Sequence, residues 1–170
     1  QALFFNVDAS DAKNRRTIIQ QMQNAFGVSP PPAMVRVLLH SLAFGSLRPF
    51  LAANGEKAIT PAQMDMTLNV MANSLIYWTQ DLFDAKLLER GAKILSMTSA
   101  GSSRVWNHYG AVSAAKAALE SHTRQLAFEL APHGVSVNCL RAGVTDTPAL
   151  RKIPTHQQMI DQVLQRSPSG

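Results

Sequence analysis

Cysteine is almost absent from this chain. One residue, Cys139, in 170 rules out an internal disulfide and leads us to expect a reducing, intracellular setting. No glycine precedes Gly27, so the opening segment holds no glycine-rich phosphate turn. No apolar run nears the roughly 18 to 20 residues that span a bilayer. Residues 1–11 lack a basic stretch followed by a long apolar one, so a secretory leader is not expected there. The histidines His40, His108, His122, His133 and His156 lack the Cys/His or His-x-x-x-His spacing of a metal site. Gly-x-Ser-x-Gly and Gly-Lys-Ser/Thr motifs are missing too. The net charge is +5, but the basic residues are scattered and no basic run alternates with aromatics, so nucleic acid is not an expected partner.

What is present supports a folded domain. Hydrophobic residues make up 46% of the chain, enough for a core, and the length suits one domain spanning 1–170. Residues 2–7 read as a buried strand ending at Asp8. Asp11 caps a helix over 12–26, in which Ile18, Ile19, Met22 and Phe26 recur at helical spacing. Gly27 and Pro30, Pro31 and Pro32 end it. A strand over 34–39 and a loop over 40–60 follow. Thr60-Pro61 starts a helix expected to reach about Leu88. Its methionines at 64, 66 and 71 read as core or interface. Further on come a strand over 92–97, a polar loop, a helix over 111–130, a strand over 135–140 and a last helix near 155–165. Strands alternating with helices predict an α/β, doubly wound parallel sheet. Ligands of such sheets bind beyond the carboxyl ends of the strands.

Tyr109 and Lys116 stand seven residues apart, about two turns on one helical face. An ammonium near a phenol lowers the phenol's pKa toward the range useful for proton exchange. Alone, such a pair also suits a half-buried tyrosine beside a surface lysine.

The neighbouring segments are more specific. They read Ser96-Met97-Thr98-Ser99-Ala100-Gly101-Ser102, Tyr109, Ser113-Ala114-Ala115-Lys116, Val137-Asn138-Cys139 and Gly143-Val144-Thr145-Asp146-Thr147-Pro148. This pattern resembles the short-chain dehydrogenase/reductase family. Most members carry Tyr-x-x-x-Lys, yet the residue four before Lys116 is Val112. The wider Tyr-x6-Lys spacing is similar to the enoyl-acyl-carrier-protein reductase branch. The segments 40–44, 141–143 and 145–150 look like that branch as well.

The resemblance implies a Rossmann-like fold and NAD(P)H-dependent reduction of an enoyl thioester in fatty acid synthesis. Hydride would pass to the β-carbon, and Tyr109 would hydrogen-bond the thioester oxygen. Lys116 would bind the nicotinamide ribose, with Ser99 as a second active-site residue. NADPH or NADH would meet Asp8 and Ala9 at the adenine and Ser41, Leu42 and Ala43 along its middle. Gly143, Val144 and Thr147 would contact the nicotinamide amide and pyrophosphate. Asn69 matches a relay asparagine of commoner members. His108 adjoins Tyr109 and reads as a surface residue. The family usually pairs through its two long helices, so a cytoplasmic homodimer or homotetramer is expected.

By the same resemblance, the first βαβ unit and the last strand are expected to be missing. Weak cofactor binding by residues 1–170 alone, and exposed apolar area, would follow. Two other readings stand beside this one: a carbonyl or alcohol oxidoreductase of the same family, and a non-catalytic structural or interaction domain. Arg141, Arg151 and Lys152 form a candidate docking site for an acidic acyl carrier protein.

Overall fold

A computed structural model describes residues 2–27, 33–52, 55–148, 150–153 and 155–166. Helix α1 spans Ala12–Phe26, and Asp11 caps it by accepting the Asn14 amide. The three prolines expected to stop it lie outside the described residues. Strand β1 spans Val35–His40. Residues 41–52 and 55–59 form no regular element.

Helix α2, Pro61–Leu68, opens on a reciprocal cap: Thr60 and Gln63 each accept the other's backbone amide. A π-helical turn over Asn69–Asn73 follows, and then α3, Ser74–Asp84. The helix thus ends earlier than expected. Lys86 takes a φ of +56°, turning the chain, and Leu88 already belongs to a strand. That strand, β2, spans Leu88–Met97 and contains Gly91 at φ +90°. Helix α4 spans Gly110–Leu130, β3 spans Ser136–Leu140 and α5 spans His156–Arg166.

The three strands form one parallel sheet ordered β1-β2-β3. His40 pairs with Ser96, and Met97 with Leu140, so the carboxyl ends lie level. The register shifts between Val35 and Val37, where β2 carries extra residues around Gly91. On one face Ala92, Ile94 and Val137 are buried. Leu75 of α3 and Leu119 of α4 complete that core, both fully buried. A second cluster joins Ile19 of α1 to Leu82 and Leu87. Arg15 locks α1 to α3 through Asp81 at 2.9 Å.

One expectation is corrected. Residues 2–7 are not a strand: they form no ladder with any of the described residues, and Leu3, Phe4 and Val7 are exposed. An apolar run becomes a strand only beside a free edge, and these residues form no ladder with the open edge of β1. The three parallel strands and their flanking helices form the incomplete Rossmann-like sheet that was expected, with apolar area left open. Among the described residues Val37 and Leu39 stay about half exposed on the second face. No described helix is long and apolar enough to cross a membrane.

Candidate active site

The level strand ends open onto one cavity of about 800 Å³. Ser41, Leu42 and Ala43 line it beyond β1. Met97, Thr98 and Ser99 line it beyond β2, and Gly143, Val144 and Thr147 beyond β3. Helix α4 contributes Val112 and Lys116, and Tyr109 stands at its entrance. The structure therefore brings together Tyr109, Lys116, Ser99 and the residues expected at the cofactor's middle and nicotinamide end, but not Asp8 and Ala9.

Those two are elsewhere. Asp8 Oδ1 accepts the Ser10 hydroxyl and amide at 2.7 and 2.8 Å, which holds its pKa below the usual carboxylate value. The Ala9 carbonyl accepts Trp78 Nε1 at 2.9 Å. Asn69 lies in the π-helical turn, outside the cavity lining.

Tyr109 is not a helical residue, which corrects the picture of two side chains on one helical face. It occupies the N-cap of α4 with φ −94° and ψ 2°. From there its hydroxyl donates to Ser99 Oγ at 3.4 Å. Ser99 also caps its own turn by accepting the Gly101 amide at 3.1 Å. Ser99 therefore serves as a loop cap and also stands beside the phenol at the cavity wall. Trp106 meets the Tyr109 ring edge-on at a centroid distance of 5.3 Å. Gly101 lies under the same ring: a Cβ there would overlap Tyr109 Cε1 and come within 2.9 Å of Trp106 Cζ3. Gly101→Ala therefore displaces the phenol. We expect at least a tenfold loss of any Tyr109-dependent activity and a stability loss of about 1–3 kcal/mol. Paired kinetics and urea melts check this.

Lys116 is buried, and its ammonium donates to the Met97 carbonyl at 2.7 Å. Burial lowers its pKa to about 8. It is mostly cationic at pH 7 and loses that charge as pH rises through about 8. His40, also buried, bonds Ser74 Oγ at 2.7 Å. Burial and the neighbouring Lys116 charge lower its pKa to about 4, so it stays neutral and adds no second cation.

Tyr109 moves opposite to the direction expected from its lysine. Burial raises the phenol pKa, only partly countered by Ser99. The group is a protonated donor at neutral pH, not a tunable phenolate. If Lys116 holds an anionic or hydroxyl-bearing ligand by charge, ligand affinity falls as pH rises from 7 to 9. Titration in that range checks it, and the phenol does not ionise there.

Sequence reading missed several lining residues. Trp106, Met159 and Ile153 supply apolar wall, and Arg104 stands in the polar loop. Trp106 lies three positions before Tyr109, a clue available from sequence; the others come together only on folding. Gly143 has open space where a Cβ would stand, so a ligand can approach its backbone. Arg151 is committed to Asp146 by two bonds of 2.7 and 2.8 Å, bracing the 143–150 loop.

Comparison with known proteins agrees with this geometry. The chain is 29% identical over 135 residues to the enoyl-(acyl-carrier-protein) reductase (NADH) of Aquifex aeolicus, covering 79% of this chain and 48% of that one. It is 30% identical over 146 residues to the L-xylulose reductase of Bos taurus, covering 85% and 55%. The crystal structure of the Aquifex aeolicus reductase superposes with a TM-score of 0.78 at 25% identity, over 95% of this chain and 59% of that one. The chain thus spans about half the length of the curated relatives it matches. The family profile described as enoyl-(acyl carrier protein) reductase matches residues 1–170. With that match running through every element of the cleft, the chain belongs to the enoyl-(acyl carrier protein) reductase family.

Proposed function

We propose that this chain forms the catalytic part of an NAD(P)H-dependent reductase acting on the C=C bond of enoyl thioesters. The observation that carries this reading is the convergence of a neutral phenol, a buried ammonium and Ser99 on one cavity at the strand ends.

The residues fit a dinucleotide. Lys116 has two further N–H bonds for the ribose hydroxyls once Met97 is served. Gly143, Val144 and Thr147 offer backbone and hydroxyl groups, and Ser41 to Ala43 flank the middle. When bound, the reduced dinucleotide supplies a hydride to the β-carbon. Tyr109 donates its hydrogen bond to the thioester oxygen, where charge accumulates as the enolate forms. The Ser99 hydroxyl, which accepts that proton in the structure, would then turn to donate to the phenol oxygen and hold it in place. The Lys116 charge favours the same developing anion. Val112, Trp106, Met71 and Ile153 keep the cavity wall apolar, which strengthens these polar contacts.

Two relatives support the substrate class: the enoyl-(acyl-carrier-protein) reductase of Aquifex aeolicus and a 1-cyclohexenylcarbonyl-CoA reductase of Streptomyces collinus. For a carrier-protein donor, Arg141 and Lys152 at the cavity are the docking candidates, because Arg151 is engaged with Asp146. Pairing of two or four chains through α2–α3 and α4, in the cytoplasm, belongs to the same reading. The bovine L-xylulose reductase likeness favours a second one, carbonyl reduction. Assaying the full-length protein with crotonyl thioesters and with ketones under NADH and NADPH separates the two. Enoyl reduction at least a hundredfold faster than ketone reduction is expected, and the reverse ratio rejects the proposal.

A further inference from the structure

The loop after β1 is fastened to the elements around Tyr109 at three places. Gly45 packs so closely that a Cβ would lie 2.7 Å from Thr67 Cγ2, and the Ser46 amide donates to Thr67 Oγ1 at 3.0 Å. Phe50 lies against Gly110, the first residue of α4. At the third place, His108 Nε2 and Glu56 Oε2 are 3.0 Å apart. The Ile59 amide donates to the Pro49 carbonyl at 2.9 Å and closes the loop on itself.

His108 is conformationally unusual. Its φ of +59° is left-handed, a region that residues other than glycine seldom adopt. It directly precedes Tyr109, whose entry into α4 has no side-chain cap. The direction in which Tyr109 leaves the turn therefore depends on a strained residue. The Glu56 contact is the side-chain bond that holds it. A smaller cavity of about 460 Å³ flanks this pair, and Leu47 forms part of the wall of both cavities.

We propose that Glu56 and His108 are positioning residues for Tyr109. Their contact stabilises the left-handed turn that aims the phenol at Ser99 and the cleft. This rests on the enoyl-reductase reading for its kinetic consequence, but not for its geometry. It also couples the loop that begins at Ser41, on the cleft wall, to the reacting hydroxyl. A small displacement of a catalytic group is enough to cost one to two orders of magnitude in rate.

The test uses the full-length protein with Glu56→Ala, Glu56→Gln, His108→Leu and the double variant Glu56→Ala/His108→Leu. Leucine keeps much of the side-chain volume but neither reaches Glu56 with a hydrogen bond nor favours the left-handed region. Glu56→Ala and His108→Leu should each lower kcat about tenfold, with KM for thioester and cofactor changing less than twofold. The double variant should be no slower than the slower single, because both remove one contact. Glu56→Gln, which can still accept a hydrogen bond, should recover most of the rate. In a Trp78→Phe background, Trp106 emission should shift in the two disruptive variants and return in Glu56→Gln. Wild-type kcat and emission in both disruptive variants, or multiplicative losses in the double variant, overturn the proposal. If the parent protein reduces no enoyl thioester, that reading fails and the Trp106 emission alone decides the positioning role.

Discussion

If the protein reduces enoyl thioesters as proposed, Tyr109→Phe should lower kcat by about 10²- to 10³-fold, while cofactor affinity and the folded state stay close to those of the parent. That size is what removal of one preorganised oxyanion donor costs. The phenol is 8% exposed, and burial keeps it protonated, so its contribution at neutral pH is a hydrogen bond. Phenylalanine retains the ring that rests on Gly101 and meets Trp106. Only the hydroxyl and its 3.4 Å bond to Ser99 disappear. Stopped-flow reduction and a thermal melt measured together check this. An unchanged kcat means that the oxygen is stabilised by some other group.

Lys116→Met has the second large effect, on the cofactor. Hydrogen bonds made by a charged group contribute about 1.5–3 kcal/mol, so dinucleotide Kd should rise about 10- to 100-fold. Turnover should fall with it. Stability should not follow. Burial makes the ammonium costly to hold, as its lowered pKa of about 8 records, and methionine fills much the same space. The Met97 carbonyl loses a donor, a smaller penalty of opposite sign. Fluorescence titration with NADH and NADPH, beside urea denaturation, checks both halves. Parent-like affinity would remove Lys116 from the binding machinery. The same cation explains why affinity should weaken between pH 7 and 9 in the parent but stay flat in the variant.

Local chemistry made much of this fold legible in the sequence. Asp11 and the Thr60-Pro61 pair mark helix starts because their side chains satisfy amides within three residues. The length of α4 follows from a periodic apolar face stopped by Pro132 and Gly134. Features set by distant partners were not legible. Residues 2–7 have the composition of a strand, but pairing depends on an edge that composition does not reveal. The helix before β2 ends at Asp84, and neither glycine nor asparagine flags the left-handed turn at Lys86. The π-helical turn over Asn69–Asn73 uses ordinary helix formers, and tertiary packing decides between i+4 and i+5 bonding.

The site divides in the same way. Strand ends are predictable from the βαβ order, so the cavity positions of Ser41, Ser99, Gly143 and Thr147 were visible early. Spacing arithmetic assumed that Tyr109 was helical, and it is a cap instead. It also assumed that a neighbouring lysine would lower the phenol pKa, whereas burial raises it and the counterweight is Ser99. Burial is a property of the assembled cleft, with Trp106 from one loop and Ile153 from another.

The most direct measurement follows a label. The full-length protein is supplied with crotonyl thioester and a reduced cofactor deuterated at the transferring carbon, and the product is read by NMR. Hydride delivery beside a Tyr109-held thioester oxygen predicts deuterium at the β-carbon and a solvent proton at the α-carbon. Deuterium at the former carbonyl carbon, or an acyl chain returned without label, would contradict it.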